Sequence, residues 1–213
     1  MITLLILLAE KGLLPDAIIR LGIRRLCRQR LVDASNINET LMEQEHAAWI
    51  DVLKESPIAL VPEKANEQHY EVPPRLFELV LGDRLKYSSG LWPEGVSSLD
   101  ESEVAMLKLT TDRAGLVDGQ DVLELGCGWG SLTLYMAECF PKSKITAVSN
   151  SNDQRQFIEA RCEERNLKNV EIITADMNDF ETTKLFDRVI SIEMFEHMRN
   201  YEKLLGRVNV WLK

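Results

Sequence analysis

Three glycines at alternate positions, Gly126, Gly128 and Gly130, stand between the run Asp121-Val-Leu-Glu-Leu125 and an amphipathic stretch at 131–140. Glycine has no Cβ, so such a loop lets the backbone turn sharply from strand to helix and lets a ligand approach the main chain. Three further short apolar runs follow: Lys144-Ile-Thr-Ala-Val148, Val170-Glu-Ile-Ile-Thr174 and Phe186-Asp-Arg-Val-Ile-Ser-Ile192. Helical spacing separates them at 152–166 and returns after the last run at 201–212. This alternation predicts an α/β chain with a parallel sheet of about four strands and right-handed crossovers. Ahead of it, apolar residues recur at helical spacing through Ala17–Leu26 and Leu41–Leu53, with breaks at Pro15, Pro57, Pro62 and Pro73-Pro74. Two regions are therefore expected, a mostly helical one over 1–117 and a sheet domain over 118–213.

At 45% hydrophobic and 28% charged over 213 residues, the chain can bury a core and carries no low-complexity signature. Its formal charge of −9 argues against nucleic acid as a partner, because binders that act by bulk electrostatics neutralise phosphates with excess Lys and Arg. Cys27, Cys127, Cys139 and Cys162 form no Cys-x-x-Cys pair, and His46, His69 and His197 are far apart. That pattern suggests neither a metal site nor a disulfide framework. The apolar opening Met1–Ala9 is far short of a membrane span and lacks the features of a signal peptide, so the expected compartment is the reducing cytoplasm. Arg20, Arg24 and Arg28 share one helical face beside Ile18, Ile19, Ile23 and Leu26. An ordinary solvated helix is one reading of that face, and peripheral contact with an anionic membrane is the other.

In the glycine loop the third glycine comes one residue too early for the dinucleotide fingerprint. The spacing Glu124-x-Gly126-x-Gly128-x-Gly130 instead resembles motif I of class I S-adenosylmethionine-dependent methyltransferases. Ligands of open α/β sheets sit beyond the carboxyl ends of the strands, which makes the strand ends the candidate cofactor contacts. The second strand ends at Ser149-Asn150-Ser151 with Gln154 following, and the amides of Asn150 and Gln154 can bind a diol. The third ends at Ala175-Asp176-Met177, where Asp176 can accept the adenine amino hydrogens and Met177 can pack on the ring; a helix cap is the competing role for Asp176. The fourth runs into Glu193-Met-Phe-Glu196-His197-Met198. Glu196 or His197 could accept a proton near neutrality, whereas a capping Glu193 and a core His197 form the alternative.

Taken with His69-Tyr70-Glu-Val-Pro-Pro74, Leu85-Lys-Tyr87-Ser88-Ser89 and the glycine loop, the string Glu193–Met198 resembles the cyclopropane-fatty-acyl-phospholipid synthase-like methyltransferases. The similarity runs from about Leu14 to the end. It implies a Rossmann-like sheet, S-adenosyl-L-methionine as cofactor, and Tyr87 and Ser88 as residues covering it. His69 and Tyr70 are open between lid packing and a site role. Within the group, the synthases methylenate a phospholipid double bond and hold bicarbonate partly through a cysteine, at whose place this chain has Ser89. The coclaurine-type N-methyltransferase branch matches better through Glu193-x-x-Glu196-His197-Met198 and Asn150-Ser151. The resemblance thus implies methyl transfer to a small amine, with Glu193, Glu196 and His197 as catalytic residues, and unsaturated phospholipid as the alternative substrate. It implies a lid and substrate side within 1–117 and a cofactor-binding sheet in 118–213. The family sheet has more strands than 118–213 provide, so the chain is expected to be a fragment or short product whose fourth strand forms an edge, and a non-catalytic binding role is a further alternative.

Overall fold

The helical periodicity ahead of the glycine loop becomes α1 (Ile2–Glu10), α2 (Asp16–Ser35), α3 (Glu39–Glu55), α4 (Pro74–Val80) and α5 (Leu99–Arg113). The structure is a computed structural model that describes residues 2–35, 39–60 and 73–213, so His69 and Tyr70 lie outside the described residues. Pro74 sits in the first turn of α4, where its missing N–H costs no helical hydrogen bond. A capping box starts α5: the Ser98 side chain accepts from Glu101 N, and the Glu101 carboxylate accepts from Ser98 N. That start sets a helical phase that turns Glu103, Leu107 and Thr111, spaced by four, into the interior.

Two compact units make up the chain, Met1–Asp51 and Val52–Lys213. In the first unit, Arg20, Arg24 and Arg28 of α2 are exposed, and so are Ile18, Leu21, Ile23 and Leu26. Among the described residues no helix is long and apolar enough to cross a membrane.

The second unit carries the predicted βαβαβ order: β1 (Asp121–Leu125), α6 (Ser131–Cys139), β2 (Lys144–Ser149), α7 (Asn152–Glu164), β3 (Val170–Thr174), β4 (Arg188–Ser191), a 3-10 turn at Phe195–His197 and α8 (Tyr201–Trp211). Its sheet is parallel with order β3-β2-β1-β4, pairing Leu125 with Val148 on one side and Ser191 on the other. This is the parallel α/β sheet of four strands that the sequence predicts. Because strand side chains alternate, Leu123 and Leu125 face a core with Val148, Phe180, Phe186, Leu204 and Trp211. Val122 and Ile190 face the opposite way, onto Leu107 of α5 and Leu132, Tyr135 and Met136 of α6. A third cluster joins Ala147 and Ile172 to Leu134 of α6 and Ile158 and Cys162 of α7. Covering both faces is what a parallel sheet of apolar strands requires.

β4 ends the strand order. Beside its approach, Phe186 N donates to Trp211 O at 2.8 Å and Lys213 N donates to Phe186 O at 3.0 Å, and Lys213 Nζ lies 2.9 Å from both Asp121 and Asp187. These contacts tie the amino ends of β1 and β4, and their parallel pairing through to Leu125 and Ser191 sets the carboxyl ends side by side, with the glycine loop leaving one and the Glu193–His197 stretch leaving the other.

Candidate active site

The glycine loop folds as its composition demands. Gly126, Gly128 and Gly130 have φ of 80°, 54° and 80°, a region side chains rarely adopt. A Cβ on Gly126 would lie 2.8 Å from Met194 Cβ, and one on Gly130 would lie 2.7 Å from Ile158 Cγ1. At Gly128 the neighbour is Tyr87, whose ring and hydroxyl would be 3.2 Å away. Tyr87 therefore lies over the loop, and Phe77 and Trp129 back it with ring centroids 5.7 and 5.5 Å apart along the series Tyr87, Phe77, Trp129.

Around this loop is a cavity of about 390 Å³. Eight of the predicted residues line it: Tyr87, Ser88, Glu124, Gly126, Gly128, Glu193, Glu196 and His197. Glu124 projects from β1 toward α6, is 3% exposed, and accepts from Thr133 Oγ1 at 2.6 Å. Burial pushes its carboxyl up to about 7, against the opposing pull of the Thr133 bond. Burial also raises the Cys127 thiol, and the Glu124 charge adds to that.

Glu193, Glu196 and His197 are exposed at the cavity wall. The capping alternative for Glu193 is not what the structure adopts: the 3-10 turn has Met194 at its N-cap with no side-chain cap, and Glu193 itself holds a left-handed φ of 52°. Nor is His197 a core histidine. The turn is braced from behind. Arg199 N donates to Ile58 O at 2.7 Å, Ala59 bridges Met198, and Asn200 Nδ2 donates to Lys54 O and Ser56 O at 2.7 and 2.9 Å.

The other five predicted residues stand outside that cavity. Gly130 is the N-cap of α6 and packs on Ile158. Asn150 is exposed just beyond β2. Gln154 is buried in the first turn of α7, where its Oε1 accepts from Ser149 Oγ at 2.6 Å and its buried Nε2 has no hydrogen-bond partner among the described residues. An orphaned buried donor at a strand end suits a ligand hydroxyl or a water. Asp176 caps the turn that follows it, accepting Asn178 N at 2.7 Å. Met177 is 6% exposed and packs in the core with Phe180, Leu204 and Trp211, not on the cavity wall. The cause is local: Phe180 N donates to Asp176 O at 2.8 Å, and Arg207 Nη1 holds Met177 O and Phe180 O, which rolls Met177 inward.

Two residues that sequence reasoning missed shape the wall beside Tyr87. Lys86 is 7% exposed, lines the cavity, and its Nζ donates to Ser88 Oγ. Glu103 is fully buried, and its carboxylate accepts backbone N–H groups of Gly82, Arg84 and Lys86 at 3.0, 2.9 and 3.2 Å. The available signal for Glu103 was its place in an interior stripe with Leu107 and Thr111. Trp129 also borders a second cavity of about 580 Å³, whose Arg84, Arg161 and Arg165 are engaged by Glu138 or Glu78. Among the described residues no group of His, Cys, Asp and Glu could hold a metal ion.

A family model described as mycolic acid cyclopropane synthetase matches residues 61–213. The (S)-coclaurine N-methyltransferase of Thalictrum flavum subsp. glaucum is 39% identical over 206 residues, which is 95% of this chain and 56% of that protein. The cyclopropane-fatty-acyl-phospholipid synthase of Escherichia coli (strain K12) is 33% identical over 149 residues, 69% of this chain and 37% of that one. A crystal structure of a coclaurine N-methyltransferase bound to N-methylheliamine and SAH superposes with a TM-score of 0.89 at 38% identity, covering 100% of this chain and 61% of that one. The chain spans less than two thirds of the length of each of these relatives.

Proposed function

Because the chain belongs to the mycolic acid cyclopropane synthetase family, we propose that it binds S-adenosyl-L-methionine on the glycine loop and serves methyl transfer to the nitrogen of a small amine. One observation carries the reading: the loop, its cover and the Glu193–His197 stretch, far apart in sequence, line a single cavity at the carboxyl edge of the sheet. In the division proposed here, residues 1–117 supply the lid and substrate side and 118–213 the cofactor platform. The likeness to coclaurine N-methyltransferases supports nitrogen as the acceptor.

The residues present fit the cofactor. The left-handed glycines leave the main chain open to it, and buried Glu124 offers a carboxylate to its amino-acid ammonium. Tyr87 and Ser88 would cover it, and the unpartnered Gln154 Nε2 offers a donor at the end of β2. When bound, it supplies a methyl group already activated on a sulfonium. The chain's own work is then to align donor and acceptor and to remove a proton. Glu193 attracts a cationic substrate nitrogen, and Glu196 or His197 accepts its proton. The lone pair that this frees would be aimed at the methyl group that the bound cofactor would supply.

Unsaturated phospholipid is the second reading, favoured by the likeness to the Escherichia coli synthase. Peripheral membrane contact through Arg20, Arg24 and Arg28 is a separate proposal, supported by the exposed apolar side chains on the same helix. Isothermal titration tests the cofactor step. The chain is expected to bind S-adenosyl-L-methionine in the micromolar range, and Gly128→Val, which would press on Tyr87, to lose that binding. Equal affinity in the variant would remove the loop from the site.

A further inference from the structure

The segment that passes over the glycine loop is held by charge more than by burial. It carries Phe77 and Tyr87, yet α4 buries none of its residues, and in 81–88 only Leu85 and Lys86 are buried. Between this segment and helices α6 and α7 lies the cavity of about 580 Å³. Two carboxylates span the gap. Glu78 of α4 accepts from Arg161 of α7 at 2.8 Å and, through its other oxygen, from Arg75 at 3.1 Å. Glu138 of α6 accepts from Arg84 of the segment and, through its other oxygen, from Arg165 at the end of α7 at 2.8 Å.

An isolated exposed ion pair contributes little, but these pairs form a network. Glu78, Arg84, Glu138, Arg161 and Arg165 have side chains only 24–30% exposed. Glu138 stands in the last turn of α6, where the helix dipole disfavours an acid. Burial works to raise its carboxyl, but the Arg84 and Arg165 bonds outweigh that and hold it below its ordinary value.

The network reaches the cover through a row of rings. Arg161 lies over the Phe157 ring, 5.2 Å from its centroid, and Phe157 meets Trp129 edge-on at 5.3 Å. Trp129 meets Phe77 at 5.5 Å, and Phe77 meets Tyr87 at 5.7 Å. From the other side the buried Glu103 accepts the N–H groups of Gly82, Arg84 and Lys86. The loop 82–86 is thereby fixed on α5, while the hold on α4 comes from Glu78.

We propose that this arginine–glutamate network is a strap that sets how long the cofactor stays under Tyr87, with Glu78 and Glu138 as positioning residues for the cover. The proposal rests on the cofactor reading given above and deepens it, naming what governs release from that site. Neither carboxylate lines the cofactor cavity, so both act through Phe77 and Tyr87.

Two measurements test it. The first is stopped-flow dissociation of S-adenosyl-L-homocysteine, a zwitterion without net charge, so that salt acts little on the ligand itself. Dissociation from the unaltered chain should quicken about threefold between low and 0.5 M NaCl. The variant carrying Glu78→Gln and Glu138→Gln should release it about tenfold faster at low salt, lose the salt dependence, and keep its urea midpoint nearly unchanged. Arg161→Lys should stay closer to the unaltered chain than Arg161→Met. In a Tyr87→Ala background the two glutamate changes should add nothing. Unchanged dissociation, or multiplicative effects in that background, overturns the proposal. The second is amide hydrogen exchange on the ligand-free chain. Leu81 N–H, which donates to Phe77 O at 2.9 Å, should exchange about fivefold faster in the double glutamate variant, with the β1 amides unaffected. Equal exchange overturns the strap. Failure of the unaltered chain to bind the probe, with the exchange difference present, would count against the cofactor reading and leave the charge-held strap standing.

Discussion

The glycine loop at 126–130 and the turn at 193–197 bound the same cavity, yet the first is closely packed away from the cavity and the second carries exposed side chains. Each glycine of the loop meets a neighbour at or inside contact distance of its missing Cβ, and Glu124 beneath it is buried. Glu193, Glu196 and His197 are exposed, and their turn is braced from behind by Ile58, Ala59 and the carbonyls that Asn200 bridges, and by the Tyr201 hydroxyl, which donates to Phe195 O. A platform for a large cofactor needs a fixed surface, while groups that exchange protons with a substrate need access and local freedom. The difference teaches which substitutions should damage folding and which should damage chemistry alone.

The largest effect is expected on the packed side. Gly130→Val combines an unfavourable φ with a 2.7 Å approach to Ile158, and urea unfolding should show a loss of about 4 kcal/mol or outright misfolding. A loss below about 1 kcal/mol would mean the loop is looser than its contacts imply. Glu124→Gln sharpens the same point through pH. Since the folded carboxyl holds its proton up to about 7, above its unfolded value, it binds protons more tightly folded than unfolded. The stability this contributes is present below the unfolded value and lost as pH rises through about 7. Stability of Glu124→Gln relative to the parent should therefore rise between about pH 4.5 and 7 and level off above, by on the order of 3 kcal/mol. A flat difference would contradict the burial.

On the open side, Glu196→Gln and His197→Ala should leave unfolding midpoints nearly unchanged and lower methyl transfer on the order of 10²-fold for whichever is the base, with cofactor affinity preserved. Loss of folding in both would erase the contrast between the two sides.

The parts legible in the sequence were those whose information is local. The strands Asp121–Leu125 and Val170–Thr174 stand where the apolar runs predict them, the first buried along nearly its whole length and the second, at the sheet edge, burying Ile172 and exposing Glu171. The glycine spacing and the Glu193–His197 string were legible for the same reason, and strand-end placement brought them together. Lys86 and Glu103 were not. Glu103 follows Asp100 and Glu101 in one helix, and only the packing of the Gly82–Lys86 loop against α5 makes one of these acids interior. Met177 shows the converse: its place after a strand end suggested a ligand contact, but the Asp176–Phe180 turn directs it into the core.

The central claim is that this cavity delivers a methyl group to nitrogen. Its most direct test incubates the 213-residue chain with S-adenosyl-L-methionine carrying a deuterated methyl, offering (S)-coclaurine and unsaturated phospholipid vesicles together, and identifies products by mass spectrometry. The account predicts a deuterated N-methyl group on the amine, lost in Glu196→Gln or His197→Ala, and phospholipids with their double bonds intact. Label appearing only in a cyclopropanated lipid, or bound cofactor with no label transferred to the amine, would contradict it.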